Sequence, residues 1–127
     1  MQKIPILCLN AVFISSIQTE LTDDEILLFQ SELLEKNHQL NPKGIIIDVT
    51  SLDVIDSYMA KVITDVMTMV KLQGSSLVLC GVQPAVSSTL VDMGVLLDSM
   101  KTFLSLDHAF NFLTRTENAI ALRKYNE

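Results

Sequence analysis

The fold of this chain is decided by residues 45–60, which read IIIDVTSLDVIDSYMA. The apolar, β-branched run at residues 45–49 is typical of a central strand that is covered on both faces. It leads into a short acidic loop with Asp53 and Asp56, and then into a helix that begins near Ser57. A serine between two rigid elements faces water, where another protein can reach it. This position therefore decides whether the chain is a passive module or a switch.

Strand-like and helical patterns alternate outward from this segment. Residues 3–9 and 11–15 predict two short antiparallel strands joined at Asn10. After them we expect, in order, a helix at residues 22–39 that opens with a capping box, the strand at 45–49, a helix at 57–73, a strand at 77–80, a helix at 84–92, a strand at 100–104 and a helix at 107–116. This order predicts an α/β fold, with a mixed sheet of four or five strands and about four helices packed on it.

The size and charge of the chain narrow its possible functions. Its 127 residues suffice for one domain with a real core, spanning residues 1–127, although the polar residues 117–127 are expected to fray. The net charge of −6 argues against binding to nucleic acid or to an anionic membrane surface. Apolar residues make up 49% of the chain and charged residues only 19%, which suggests that some apolar surface is buried against partners. Neither a signal peptide nor a membrane span is predicted, so a cytoplasmic location is expected.

The sequence gives little indication of catalysis. Glycine-rich phosphate loops and nucleophile elbows are missing from it. Asp48, Asp53 and Asp56 cluster where open α/β sheets place their sites, and could in principle hold Mg²⁺. The favoured interpretation is that Asp48 and Asp53 accept hydrogen bonds from loop amides, while Asp56 or Ser57 caps the helix. We therefore expect a protein that is not an enzyme and that binds no metal and no cofactor.

The remaining candidate metal ligands have structural interpretations. His38 and His108 lie in different helical regions without metal-ligand spacing, so both are predicted to be surface residues. Cys8 and Cys80 lie in apolar strand-like runs, and both are predicted to be reduced core residues.

The helix that follows Ser57 is apolar over about half of its surface, which is wider than the stripe needed to face one core. One stripe is predicted to pack on the sheet and contains Ala60, Ile63, Met67 and Val70. The second stripe lies beside it and contains Tyr58, Val62, Val66 and Met69. Two interpretations stay open: the second stripe packs under the first helix, or Val62, Val66 and Met69 line a groove for a partner protein.

Ser57 also has two interpretations on physical grounds, as an N-cap or as a phosphoacceptor. Phosphorylation adds a charge of about −1.5 to −2, which a helix N-terminus accommodates, so the fold should survive it. A partner that faces Asp53 and Asp56 would feel the new charge as repulsion or lost contact. A serine that caps the helix could still accept a phosphoryl group.

Several segments resemble the STAS domains (sulfate transporter and anti-sigma-factor antagonist). The resemblance is carried by IIIDVT at residues 45–50 and VIDS at 54–57, and it extends through AKVI at 60–63, KLQG at 71–74, GVQPAV at 81–86 and TLVDMG at 89–94. It covers nearly the whole chain. Within the family, these segments look most like the short, single-domain scaffold proteins of the stressosome.

The resemblance implies a signalling role in partner switching during general stress, without catalysis. In such systems the scaffold assembles with longer STAS paralogues that carry sensory N-terminal domains (RsbR-like), and the assembly holds a serine/threonine switch kinase (RsbT-like). The kinase phosphorylates the serine after the aspartate, here Ser57, and leaves; a PP2C-type phosphatase (RsbX-like) resets the system. We expect a large homo- and hetero-oligomer whose partner interface contains Asp53, Asp56, Tyr58, Val62, Val66 and Met69.

The residues after the acceptor depart from one branch of the family. Anti-sigma antagonists usually have a small residue and a glycine there, whereas this chain has the bulky residues Tyr58 and Met59, which favours the scaffold group. A stand-alone anti-sigma-factor antagonist and an accessory subunit of a membrane transporter stay open as alternatives. The hydroxyls at Ser87, Ser88 and Thr89 are interpreted as helix-surface groups rather than secondary phosphosites.

Overall fold

The computed structural model of the chain describes residues 4–94 and 101–115. Its sheet has the strand order β1 (Leu7–Leu9), β2 (Val12–Ser16), β3 (Gly44–Asp48), β4 (Leu77–Cys80) and β5 (Lys101–Phe103). β1 is antiparallel to β2, and the other neighbouring strands are parallel. The helices of this part of the chain are α1 (Asp23–Leu40), α2 (Ser57–Leu72), α3 (Pro84–Asp92) and α4, which is helical over residues 106–115. The predicted α/β fold with a mixed sheet is confirmed.

The predicted element boundaries agree with the structure to within a few residues, apart from the start of β1. Within residues 4–9, the described part of the predicted first strand, only Leu7–Leu9 pairs with β2. The predicted residues 3, 100 and 116, and the polar tail at 117–127, lie outside the described residues.

β3 is the centre of the molecule and is covered on both sides. The side chains of Ile45 and Ile47 lie in the core beneath α1, α2 and α3, whereas Ile46 lies in a second core with Ala109 and Leu113 of α4. All three isoleucines are fully buried. A strand of this kind has no polar face, and for that reason the sequence shows an apolar run instead of an alternation.

The parallel strands direct their carboxyl ends to one edge of the sheet. The segments that follow β3 and β4 meet there, since Val49 N–H donates to the carbonyl of Cys80 at 3.0 Å. Open α/β sheets place their functional residues at this edge. The backbone of the loop that leads to Ser57 is therefore held by the ends of two strands, even without contacts from its own side chains.

The capping box predicted at the start of α1 is present. The Thr22 hydroxyl accepts from Glu25 N–H at 3.2 Å, and the Glu25 carboxylate accepts from Thr22 N–H at 3.0 Å. At its other end the helix stops at Asn41, which has a left-handed backbone with φ 44°. Both ends of α1 were encoded by local residue types.

The two cysteines have different environments. Cys80 is buried at the end of β4 as predicted, but Cys8 is exposed, so the prediction of a core position for Cys8 was wrong. The physical reason is that β1 is an edge strand, which the sequence pattern of alternating apolar residues cannot reveal. His38 and His108 are both exposed, in agreement with the prediction.

Burial should make the Cys80 thiol unreactive. Desolvation, with a smaller contribution from the nearby Asp48 carboxylate, raises the pKa of Cys80 from 9.0 to about 12. In a Cys8→Ser variant we expect no reaction with a thiol reagent at pH 8 until urea unfolds the protein. Because the pKa of this thiol is raised in the folded state, its neutral form stabilises the fold below pH 9, and this contribution declines as the pH rises from 9 towards 12. Rapid labelling of the folded variant would contradict this placement.

The turn between β1 and β2 stores backbone strain that can be measured. Asn10 and Ala11 both have positive φ, 50° and 63°, as the central residues of a two-residue type I′ hairpin do. Alanine is disfavoured there by about 1–2 kcal/mol. Ala11→Gly should therefore raise the free energy of unfolding by about 1 kcal/mol in urea titrations, whereas the control Ala85→Gly, in α3, should lower it by about 0.5–1 kcal/mol. Destabilisation by both changes would contradict the turn.

Candidate functional site

The segment between β3 and α2, residues 49–56, is anchored by three apolar side chains. Val49, Leu52 and Ile55 are buried in the core beneath the helices. The residues between and after them are exposed, among them Asp53, Val54 and Asp56. The segment therefore has a fixed backbone and presents the side chains between its anchors to solvent.

Hydrogen bonds tie the start of this segment to its neighbours on both sides. The Asp48 carboxylate accepts from the backbone N–H of Thr50 at 3.0 Å and from its hydroxyl at 2.5 Å. Gln83 Nε2, before α3, donates to the Thr50 carbonyl at 3.1 Å. Ser51 Oγ donates to Gln18 Oε1, after β2, at 3.1 Å. The prediction that Asp48 binds loop amides is confirmed, and that for Asp53 stays a prediction.

Gly81 allows the loop after β4 to approach Thr50 closely. Its backbone is left-handed, with φ +72°, and an added Cβ would collide with the Thr50 side chain and lie 2.9 Å from Thr50 Cα. No other residue type fits this position without moving the segment that leads to Ser57.

The N-cap of α2 is Asp56, not Ser57. Asp56 has an extended backbone, and its Oδ1 accepts from Met59 N–H at 2.7 Å. Ser57 is the first residue of the helix, so the expectation that it also caps α2 was wrong. Its role as a phosphoacceptor stays a prediction. The physical reason is that only the residue before the first turn can reach the amide three positions on. The Ser57 side chain is exposed and has no capping role.

The surface around Ser57 is acidic and apolar at the same time. Asp53 and Asp56 supply carboxylates, while Val54 is 54% exposed and Tyr58 is 37% exposed. The structure therefore brings together four of the predicted site residues, Asp53, Asp56, Ser57 and Tyr58. Val54 was missed because it lies in the loop, outside any helical stripe. Its signal was an apolar residue within an acidic loop, three positions before Ser57.

The second apolar stripe of α2 is largely covered by α1. Val62 and Val66 are only 4% and 2% exposed, and they lie in the same core as Phe29 and Leu33 of α1. The prediction that Val62 and Val66 belong to a partner interface was therefore wrong, and the alternative, packing under the first helix, is confirmed for them. A side chain sealed between two helices cannot contact another protein in this fold.

Met69, the last predicted interface residue, is exposed but distant from Ser57. It lies eleven residues after Tyr58 on the same helix face, which is about 16 Å at 1.5 Å per residue. At that position its Sδ accepts a weak contact from Gln30 Nε2 of α1 at 3.8 Å. Met69 is therefore a separate exposed point and not part of the surface around Ser57.

A lysine lies one turn after Ser57 on the exposed side of α2. Ser57, Lys61 and Asp65 follow each other at intervals of four residues, so they line one face of the helix. Lys61 Nζ donates a hydrogen bond to Asp65 Oδ2 at 2.8 Å, and this bond raises the pKa of Lys61. A negative group on Ser57 would have this lysine within reach.

Two of the carboxylates near Ser57 accept hydrogen bonds from the chain itself. Asp48 is engaged by Thr50, and Asp56 is engaged by the Met59 amide. Across the part of the chain that the structure describes, no three His, Cys, Asp or Glu side chains are grouped so that they could hold a metal ion.

Comparisons with known proteins place the sequence and the fold. Residues 3–109 match the family of the STAS domain. A structure of RsbS from Moorella thermoacetica, in a form with a serine replaced by glutamate, is 31% identical; the match covers 92% of this chain and 99% of that one, with a TM-score of 0.83. A chain from a study of the molecular architecture of the stressosome, a signal integration and transduction hub, is 32% identical over 89% of this chain and 98% of its own, with a TM-score of 0.77.

More distant similarity concerns the fold alone. The anti-sigma factor antagonist SpoIIAA in its unphosphorylated form is 13% identical over 87% of this chain and 96% of its own, with a TM-score of 0.74. No curated protein matches the sequence. Within the described residues, none of the helices combines the length and the apolar character that crossing a membrane requires.

Substitution of Gly81 should disturb the segment that presents Ser57. Gly81→Ala combines a left-handed alanine with a collision against Thr50, so we expect a loss of about 2–5 kcal/mol in the free energy of unfolding. The matched control is Gly74→Ala, where φ is +89° but nothing lies within 4 Å of the added Cβ; it should cost only about 1–2 kcal/mol. Equal losses in urea unfolding would show that the contact with Thr50 does not constrain the fold.

Proposed function

This chain belongs to the STAS domain family, and from that membership we propose that it is a non-catalytic scaffold of a stressosome. In this proposal it holds a serine/threonine switch kinase and releases it when Ser57 is phosphorylated. The similarity to RsbS and to the stressosome chain supports this role over other roles in the family, since the identity to them is 31% and 32%, against 13% for SpoIIAA over a similar share of the chain.

The observation that carries the proposal is the position of Ser57. Its hydroxyl is exposed on the first turn of α2, and the capping role there belongs to Asp56. The backbone before it is fixed by Leu52, Ile55 and the hydrogen bonds of Thr50. A kinase therefore meets an accessible hydroxyl at a defined position, and modification removes no hydrogen bond on which the helix depends.

The exposed residues around Ser57 suit a surface that holds another protein. Val54 and Tyr58 offer apolar area, and Asp53 and Asp56 give this area a negative rim. Apolar contacts supply most of the affinity of such interfaces, while charges at the rim select the partner. We propose that the kinase docks here, with contacts to these four residues. Met69 contributes to binding only if the contact area of the kinase extends along α2 to that residue.

Phosphorylation changes this surface without unfolding it. The kinase transfers the γ-phosphoryl group of ATP to Ser57 Oγ: the bond from the γ-phosphorus to the bridging oxygen breaks, ADP leaves, and the serine proton passes to a base of the kinase. The surface gains a charge of about −1.5 to −2. Val54 and Tyr58 lie beside Ser57, so a docked partner would bury this charge against apolar surface, and the cost of removing it from water opposes docking. The helix tolerates it because the amides of its first turn and the nearby Lys61 favour an anion at this end. The switch therefore acts on the interface and leaves the core intact.

The remaining partners follow from the same proposal. STAS paralogues with sensory N-terminal domains (RsbR-like) would co-assemble with this chain, the kinase would be RsbT-like, and a PP2C-type phosphatase (RsbX-like) would remove the phosphoryl group. The assembly would be a large homo- and hetero-oligomer in the cytoplasm, without nucleic acid or membrane. A stand-alone anti-sigma-factor antagonist is the alternative, and gel filtration after co-expression with a sensor paralogue separates the two. Megadalton particles favour the scaffold, whereas a small stable dimer contradicts it.

Substitution of Ser57 tests the switch. Ser57→Ala should fold normally and keep the kinase bound, because only the exposed hydroxyl is lost. Ser57→Asp should weaken binding by at least about tenfold, which corresponds to about 1.4 kcal/mol, because docking would bury the new charge against the apolar surface of Val54 and Tyr58. Binding of the purified switch kinase to each variant, measured by calorimetry, gives both values.

Labelling with ATP and the kinase supplies the control. Wild-type protein and the matched variant Ser88→Ala, which removes another exposed serine hydroxyl, should take up phosphate equally, and Ser57→Ala should take up none. Unchanged labelling of Ser57→Ala would assign the phosphoacceptor to a different residue.

A further inference from the structure

A cleft lies between the strand β5 and the helix α4. Its volume is about 510 Å³, within the range of about 300–1,000 Å³ that is typical of sites for small molecules. The lining includes three apolar and three polar side chains, which are Phe103, Leu104, Phe112, His108, Asn111 and Arg115. Apolar walls with a few polar groups that can fix the orientation of a molecule are characteristic of ligand sites.

Two aromatic rings form most of the apolar wall. The ring centroids of Phe103 and Phe112 are 5.1 Å apart, and the ring planes are tilted by 40°. Both side chains pack against the core between the sheet and α4, which holds them in place. Leu104 beside them is 89% exposed. A flat ring of a ligand can pack on these side chains and bury apolar area that is otherwise in water.

The polar wall carries positive charge, although the protein as a whole is acidic. His108, Asn111 and Arg115 follow each other along α4 at intervals of three and four residues, so they lie on one face of the helix. Lys101 Nζ lies 4.7 Å from the centre of the Phe112 ring, so a second cation is held beside the cleft. An anion at this wall would meet positive charge and hydrogen-bond donors together.

These cations are not neutralised by the carboxylates that the structure describes. Among the described residues, none of the side chains that line the cleft is acidic. Asp107 belongs to α4 but lies about 100° around the helix from His108. Neither Lys101 nor Arg115 forms an ion pair with a carboxylate of the described residues. In a protein with a net charge of −6, an unpaired arginine beside aromatic rings favours an anion that comes from outside.

A carboxylate suits this wall better than a phosphate. The planar guanidinium of Arg115 matches the two oxygens of a carboxylate, and the side chains of Asn111 and His108 can donate beside it. Phosphate sites commonly use the free amides of a helix N-terminus. At the start of α4, the Ser105 hydroxyl accepts from His108 N–H at 3.3 Å, so this terminus already has a cap.

We infer that the cleft between β5 and α4 binds a small aromatic carboxylate, with the ring against Phe103 and Phe112 and the carboxylate paired with Arg115. The cleft and the helix α2, which carries Ser57, belong to cores on opposite faces of the sheet. Binding in the cleft uses none of the residues that are proposed to hold the kinase. Loss of the switch would therefore leave this site unchanged.

Titration with 2-naphthoate tests the site, because this probe joins a flat pair of fused rings to one carboxylate. The full chain should bind it saturably with a Kd of about 1 mM or below, as expected for a ligand of this size. Shifts in the protein NMR spectrum should be concentrated at the backbone amides of β5 and α4. Shifts concentrated elsewhere, or no saturable binding up to about 10 mM, would overturn the assignment.

A charge variant with a matched control separates this site from general attraction to a cation. Arg115→Gln changes an exposed side chain, so the fold should be retained while the affinity for 2-naphthoate falls at least about tenfold. The control Lys71→Gln removes one exposed positive charge from α2 and should leave the affinity unchanged. Equal affinities of the two variants would contradict the role of Arg115.

A neutral analogue tests the pairing of the carboxylate. The amide 2-naphthamide keeps the rings but has no charge, and it should bind at least about tenfold more weakly than 2-naphthoate. Equal binding of the amide would reduce the cleft to an apolar surface and overturn the choice of a carboxylate. Ser57→Ala should bind 2-naphthoate as the wild type does, so this outcome is independent of any result for the kinase.

Discussion

The hydrogen bonds of Thr50 hold together the part of the molecule on which the proposed function depends. Asp48, at the end of the central strand, accepts from both the amide and the hydroxyl of Thr50, and Gln83 donates to the Thr50 carbonyl from the neighbouring loop. Gly81 makes room for this contact. Because these bonds join the ends of β3 and β4, the segment before α2 is held rigidly at the edge of the sheet. Without them, Ser57 would follow a mobile loop, and its position relative to a docked partner would vary.

At this fixed position, the adjacent residues Asp56 and Ser57 have separate roles. Asp56 stabilises the start of α2 through the Met59 amide, and Ser57 is left with an exposed hydroxyl that no structural bond requires. A phosphoryl group can then be added and removed while the fold stays the same. The apolar cores on both faces of β3 keep the change local, because a packed interior does not deform to follow one surface charge. The proposed switch is therefore a change of surface charge on a rigid domain.

The features that could be predicted from the sequence are those that depend on residue types close together in the chain. The buried strand β3, the capping box of α1 and the position of α3 each depend on a few neighbouring residue types. One error is local, since Asp56 and Ser57 are both capping residue types and only the backbone shows which of them precedes the helix. The other errors concern which elements lie beside one another. The stripe with Val62 and Val66 is apolar whether α1 or a partner covers it. Only the position of α1 in the fold shows that α1 covers this stripe. In the same way, Cys8 has a strand pattern, but strand order makes it an edge residue.

The central claim is that the charge on Ser57 controls whether a kinase stays bound. The most direct measurement is the affinity of the purified switch kinase for the protein phosphorylated on Ser57, compared with the same preparation after dephosphorylation. The account predicts that the phosphorylated form binds at least about tenfold more weakly, a difference of about 1.4 kcal/mol, while circular dichroism of the two forms is the same. Equal affinity of the two forms would contradict it.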